Sequence, residues 1–263
     1  MEPHERIILP LDVSDIKKAE NLVDILSPYV GVFKIGFESI YSTMVNLLLT
    51  RSYESIGLIN RVRNLAKKIG PEKAFLDVKL ADIPNTVENT VKTLSLLGVK
   101  MINIHVSAGE RAIKTAVANK GVSKLFGVTV LTSIDKDECF SIFGADPVSK
   151  VDQFARILVE NGADGVICAP KEGLMLRRYR YFDKLIIACP NIRPEWSATK
   201  EERERVKDDQ NVERQMTPAE AIKDGIDMLV IGRPITKPPV GIGGPVEAAK
   251  RIAEEITQAQ KEI

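Results

Sequence analysis

The stretch FLDVKLADIPNT, Phe75 to Thr86, places Asp77, Lys79 and Asp82 directly after an apolar run. In an extended strand, residues two apart project from one face, so Asp77 and Lys79 are set to meet if the strand continues that far. Each charge alone reads as a solvated loop residue or a modest surface ion pair. Two further strand-like runs also end in charge: Asp12 closes RIILPLDV, and Lys34 sits late in VFKIG. Charges in apolar strands are costly unless paired, and Lys34, Asp77, Lys79 and Asp82 would meet only where strand ends converge. Such clustering points to a site rather than to a structural network. The chemistry on offer is a cation held between carboxylates.

The elements that must position this set recur along the chain. Short apolar, β-rich runs occupy 6–13, 32–36, 74–80, 101–106, 126–132, 165–169, 185–189 and 228–232. Between them lie segments with helical spacing, among them 14–26, 86–98, 110–121, 151–162 and 217–225, several opening at Ser or Thr and stopping at Gly. The closing GPVEAAKRIAEEITQAQKEI reads as an amphipathic helix. Continuous apolar strands alternating with amphipathic helices imply a parallel sheet covered by helices, either a closed barrel or an open doubly wound sheet. Strand number and length favour a single (β/α)₈ TIM barrel over 1–263, with its active site at the C-terminal ends of the strands. The charged insert at 193–215 reads as part of a lid loop at about 191–216, because loops this long are usually functional or disordered.

Bulk properties narrow the partners. The chain has 263 residues, 44% hydrophobic and 28% charged, enough to bury a substantial core in one domain. A formal net charge of +1, with both signs mixed, gives no broad attraction to nucleic acid or to an anionic membrane. A small-molecule partner is expected. Cys139, Cys168 and Cys189 lack CxxC spacing, which points to a reducing cytoplasm. The N-terminal MEPHERIILPLDV carries acidic residues and only a short apolar run, unlike a secretory signal or a membrane span.

Other chemistry-bearing residues read more plainly. His105 ends the fourth strand, but the only other histidine is His4, which leaves too few ligands for a zinc site and disfavours histidine-based triads. GIGG at 241–244 lacks the full dinucleotide fingerprint and reads as the turn before the last helix. RRYRY at 177–181 is too short, in a near-neutral chain, for a nucleic-acid surface and reads as an exposed helix end. KEERERVKDD at 200–209 is a solvated face that also falls within the lid segment.

In DVKLADIPNT, in LDV after the first strand, FKIG on the second, VTVLTS on the fifth, IRP after the seventh and IGRPIT on the eighth, the chain resembles orotidine 5′-phosphate decarboxylases. Sibling sugar-phosphate decarboxylases and hexulose-phosphate synthases share the DxKxxD pattern. The extension into DIPNT and a lysine, in place of the siblings' glutamate, on strand two favour the decarboxylase.

The resemblance implies release of CO₂ from C6 of orotidine 5′-monophosphate to give UMP, with no metal and no organic cofactor. It assigns Lys79 the stabilisation and protonation of the C6 carbanion and sets Asp77 against the departing carboxylate. Lys34 and Asp82 complete the array and contact ribose, as does Asp12. It implies a homodimer in which Asp82, Ile83 and Thr86 reach the partner's site. Thr132 and Ser133 are expected on the pyrimidine. Arg193, Gln210, Gly232 and Arg233 are expected on the phosphate, the glutamine's register being open between Gln210 and Gln215. The rival readings are a Mg²⁺-dependent sugar-phosphate decarboxylase or aldolase of the same lineage, and a non-catalytic nucleotide-binding barrel.

Overall fold

The computed structural model describes residues 1–50, 52–197 and 215–263. Eight parallel strands close a barrel in chain order: β1 Ile7–Pro10, β2 Val32–Ile35, β3 Ala74–Leu80, β4 Met101–His105, β5 Lys124–Val128, β6 Gly165–Ile167, β7 Ile186–Cys189 and β8 Met228–Val230. The barrel closes where β1 meets β8, with Ile7 opposite Leu229 and Ile8 opposite Val230. The open sheet is thereby ruled out. Alternation along the strands sorts the core into two layers. Ile8, Val32, Phe75, Met101, Phe126, Ala188 and Met228 fill the barrel interior. Ile7, Leu9, Phe33, Ile102, Ile104 and Leu229 point outward into the layer shared with the helices.

Local chemistry places the helices. α1 (Ile16–Leu26) starts where the Asp15 carboxylate accepts the Lys17 N–H. α2 (Phe37–Leu49) and α3 (Ser52–Ile69) join β2 to β3. α4 (Pro84–Ser95) opens with proline at its first turn, α5 spans Glu110–Asn119, and α6 (Lys136–Phe143) ends at Gly144 in the left-handed region. Asp146 caps α7 (Pro147–Glu160), and α8 spans Pro170–Arg177. A Thr217/Glu220 capping box starts α9 (Pro218–Lys223), followed by α10 (Arg233–Thr236) and α11 (Pro245–Lys261). No helix among the described residues is long and apolar enough to cross a membrane.

Three local features bear on the site, the first a correction to the 126–132 run. β5 stops at Val128, so Thr132 and Ser133 lie in the turn beyond it. The register between β3 and β4 slips between Leu76 and Leu80, so four steps along β3 face two along β4, from Ile102 to Ile104. α2 buries none of its residues, and Phe37, Tyr41, Val45 and Leu48 form an exposed stripe at helical spacing. The ends of the seventh βα-loop are pinned together by an isolated bridge between Ile192 and Met216 and by the Arg193 N–H donating to the Met216 carbonyl at 2.9 Å.

Candidate active site

The C-terminal ends of the strands surround a cavity of about 600 Å³. On one side Asp77, only 5% exposed, is the hub of a charge array. Its Oδ2 lies 2.9 Å from Lys34 Nζ, and its Oδ1 lies 2.7 Å from Lys79 Nζ. Lys34 Nζ also reaches Asp12 Oδ1 at 3.1 Å, so one ammonium bridges two carboxylates. The array runs Asp12, Lys34, Asp77, Lys79 in alternating sign. It fits because residue 36 is glycine: a Cβ there would stand 3.1 Å from Lys34 Nζ and 3.3 Å from Asp12 Oδ1. The backbone of Gly36 is extended, so the requirement is space rather than an unusual dihedral.

Burial alone would push the Asp77 carboxyl up, but the Lys34 and Lys79 ammonium groups and their hydrogen bonds outweigh it and hold the group below its ordinary 3.8. Burial likewise works to lower Lys34, and Asp77 and Asp12 together raise it above its ordinary 10.5. Both groups are therefore fully charged at neutral pH. His105 is pushed below 6.5 by burial and by the nearby Lys79 cation, with Asp77 opposing, so it is neutral there.

Lys79 is held in an unusual way. Its φ is +41°, in the left-handed region that a non-glycine residue seldom enters. It falls within the β3 slip, and bulges of this kind re-aim side chains beside active sites. Its ammonium sits 5.4 Å from the centre of the Phe37 ring at the start of α2. The Ser39 hydroxyl ties that helix to the carbonyls of Leu11 and Val13 in the first βα-loop.

Across the cavity, the ends of β7 and β8 supply Arg193, Gly232 and Arg233. Burial, reinforced by repulsion from Arg233, lowers Arg193 from 12.5 to about 10. Two guanidinium groups that repel each other at the mouth of a cavity form a place for an anion. Gly232 lets the β8 end approach β1 closely, since a Cβ there would lie 2.9 Å from Pro10 Cγ.

A model of the orotidine 5′-phosphate decarboxylase / HUMPS family matches residues 5–252. The chain belongs to this family. It is 34% identical to the orotidine 5′-phosphate decarboxylase of Moorella thermoacetica over 97% of this chain and 94% of that protein. It is 35% identical to the one from Geotalea daltonii over 97% of each. Among solved structures, the orotidine 5′-phosphate decarboxylase from Lactobacillus acidophilus matches with a TM-score of 0.70 and 27% identity, covering 95% of this chain and 98% of that one.

Within one chain the fold brings Asp12, Lys34, Asp77 and Lys79 together, and sets Thr132, Arg193, Gly232 and Arg233 around the same cavity. Asp82, Ile83 and Thr86 are exposed and do not line it. Asp82 accepts the Ile83 N–H at 2.7 Å and makes no ion pair among the described residues. Ser133 is exposed and does not line the cavity either. Gln210 lies outside the described residues; Gln215 lies just before the Met216 bridge. The sequence reading passed over Asn103, which donates to Asp77 Oδ1 at 2.7 Å, and Phe37, Glu38 and Lys237, which also lie at the site. Asn103 did carry a signal: an amide at the inward position of the apolar strand MINIH.

Proposed function

We infer that the chain decarboxylates orotidine 5′-monophosphate to UMP and CO₂, in the de novo supply of pyrimidine nucleotides. Family membership gives the reaction. The observation that carries the mechanism is Lys79 Nζ, 2.7 Å from the buried Asp77 carboxylate and facing the cavity. The bond from C6 to the carboxylate breaks, CO₂ leaves, and the electron pair stays on C6. The Lys79 ammonium stabilises that charge and delivers a proton to C6. The Lys79 amine then regains a proton from water. Asp77 stands against the departing carboxylate and holds the Lys79 ammonium in place at 2.7 Å.

Lys34 and Asp12 hold ribose hydroxyls, Thr132 the pyrimidine, and Arg193, Gly232 and Arg233 the phosphate. On this reading the 191–216 segment is the lid, and Gln210 or Gln215 its phosphate ligand. No metal is invoked: both Asp77 oxygens and Asp12 Oδ1 already face ammonium groups, and a divalent cation between these carboxylates would have to displace Lys34. The Mg²⁺-dependent sibling is disfavoured on the same ground.

A homodimer belongs to this reading, with Asp82, Ile83 and Thr86 completing the partner's site. It is supported by the outward placement of those three residues and by the exposed apolar stripe of α2, whose first residue touches Lys79. A monomer by sedimentation at assay concentration would remove this part. A cytoplasmic setting goes with it, in keeping with three buried cysteines that form no disulfide.

The deciding experiment follows loss of orotidine 5′-monophosphate absorbance in excess EDTA, beside Lys79→Ala. Turnover in chelator that falls by about 10⁴ or more in the variant is expected, the scale of a lost general acid together with its electrostatic role. No turnover by folded wild type would defeat the proposal; activity restored by Mg²⁺ with sugar phosphates would point to the sibling chemistry.

A further inference from the structure

Asn103 is fully buried on the inner face of β4, and its side-chain amide is committed in two directions. Oδ1 accepts the backbone N–H of Lys79 at 2.7 Å, and Nδ2 donates to Asp77 Oδ1 at 2.7 Å. The two contacts agree on the amide's orientation: a flipped group would set NH₂ against N–H and oxygen against carboxylate. The first contact falls inside the register slip, where Lys79 adopts its positive φ and the strand ladder between β3 and β4 is interrupted. A backbone N–H that would otherwise be stranded there is taken up by a side chain from the neighbouring strand.

We propose that Asn103 is a positioning residue for the decarboxylation: it clamps the left-handed turn at Lys79 from the backbone side and fixes the carboxylate that receives the same lysine's ammonium. One rigid amide thus sets both ends of the Lys79 side chain, the Cα by its N–H and the Nζ through Asp77. Off-axis placement of the proton donor by a fraction of an ångström is felt in the chemical step more than in binding. The inference rests on the decarboxylase reading, and its tests separate the two.

In Asn103→Ala, kcat is expected to fall about 10- to 100-fold while KM changes less than about threefold, the signature of an interaction that matters in the transition state. Asn103→Asp supplies a pH readout. The groups around the position are Asp77 and Lys79 from β3, Lys34 beyond Asp77 on β2, and His105 on β4 itself, while β5 presents apolar Phe126 and Val128. A new carboxyl beside the Asp77 carboxylate holds a proton at low pH, when it can donate as the amide does. Its kcat is therefore expected to fall as pH rises through an ionisation absent from the wild type.

The geometric half is read without substrate. Amide hydrogen exchange at Lys79 should speed up about tenfold or more in Asn103→Ala and keep its wild-type protection in Asn103→Asp, which retains the acceptor. If wild type fails to turn over, the function is wrong, yet the exchange result still judges the clamp. A folded Asn103→Ala with kcat within twofold of wild type, a pH profile of Asn103→Asp that follows wild type, or unchanged Lys79 exchange would each overturn the proposal. If Asn103→Ala does not fold, the pH profile of Asn103→Asp decides alone.

Discussion

The two sides of the cavity handle charge in opposite ways. On the β1–β3 side, Asp12, Lys34, Asp77 and Lys79 alternate in sign, and each buried charge already faces its opposite. On the β7–β8 side, Arg193 and Arg233 carry the same sign, and their proximity works against Arg193. The first region is complete before substrate arrives, so it contributes preorganisation: no charge has to be recruited at the moment of reaction. The second gathers like charge at the mouth of the cavity, so on the proposed reading its contribution appears when an anionic phosphate binds. On the proposed reading this divides the work, with chemistry at the paired end and affinity at the guanidinium end.

The largest test of this division is Asp77→Asn. Removing one member of a buried array leaves Lys79 and Lys34 without their shared anion, and a loss of about 3 kcal/mol or more in stability at neutral pH is expected by denaturant titration. The sign with pH follows from the shifts. Asp77 titrates below 3.8 in the folded chain, so its stabilisation is present above that value and is lost as acid carries the pH through the folded pKa. Lys34 titrates above 10.5, so its share is present below that value and disappears as the pH rises past the folded pKa. Asp77→Asn should flatten the acid limb. An unchanged acid limb would mean that the array is not what acid breaks.

Next in size is Arg233→Ala. About 100-fold should be lost in kcat/KM for the phosphorylated substrate, and little for the unphosphorylated nucleoside, measured in parallel. Equal losses on both would place Arg233 outside the phosphate site. The smallest effect is expected for Gly36→Ala. Its methyl group would crowd Lys34 Nζ and Asp12 Oδ1, each of which must give way by a few tenths of an ångström, and kcat should fall about tenfold with the thermal midpoint little changed. An unaffected kcat would show that the array tolerates slack.

Much of this could be read from sequence because the relevant signals are local. Eight apolar runs gave the barrel, and a DxK pair on an alternating strand gave the contact between Asp77 and Lys79. What could not be read depends on a neighbour. The slip at Lys79 is a relation between β3 and β4, and no property of AFLDVKL announces it. Asn103 looks like any polar residue until the strand beside it is known. α2 escaped because its apolar residues lie on two faces: Ile40 lines an inner hollow while Tyr41, Val45 and Leu48 face out, so the helical period is blurred. Asp82 has the right spacing for the array but lies past the strand, in the approach to α4, where alternation no longer governs direction.

The seam between β1 and β8 joins residues roughly 220 positions apart, as Ile7 pairs with Leu229. The charge array comes from the first part of the chain, Asp12 to Asn103, and the guanidinium pair from the last, Arg193 to Arg233. At a ribosomal rate of roughly 5–20 residues per second, several seconds separate their emergence. Until β8 emerges the barrel cannot close around Asp12, Lys34, Asp77 and Lys79. Completion of the pocket is thus a late event in the life of each molecule, set by the translation of its final strand.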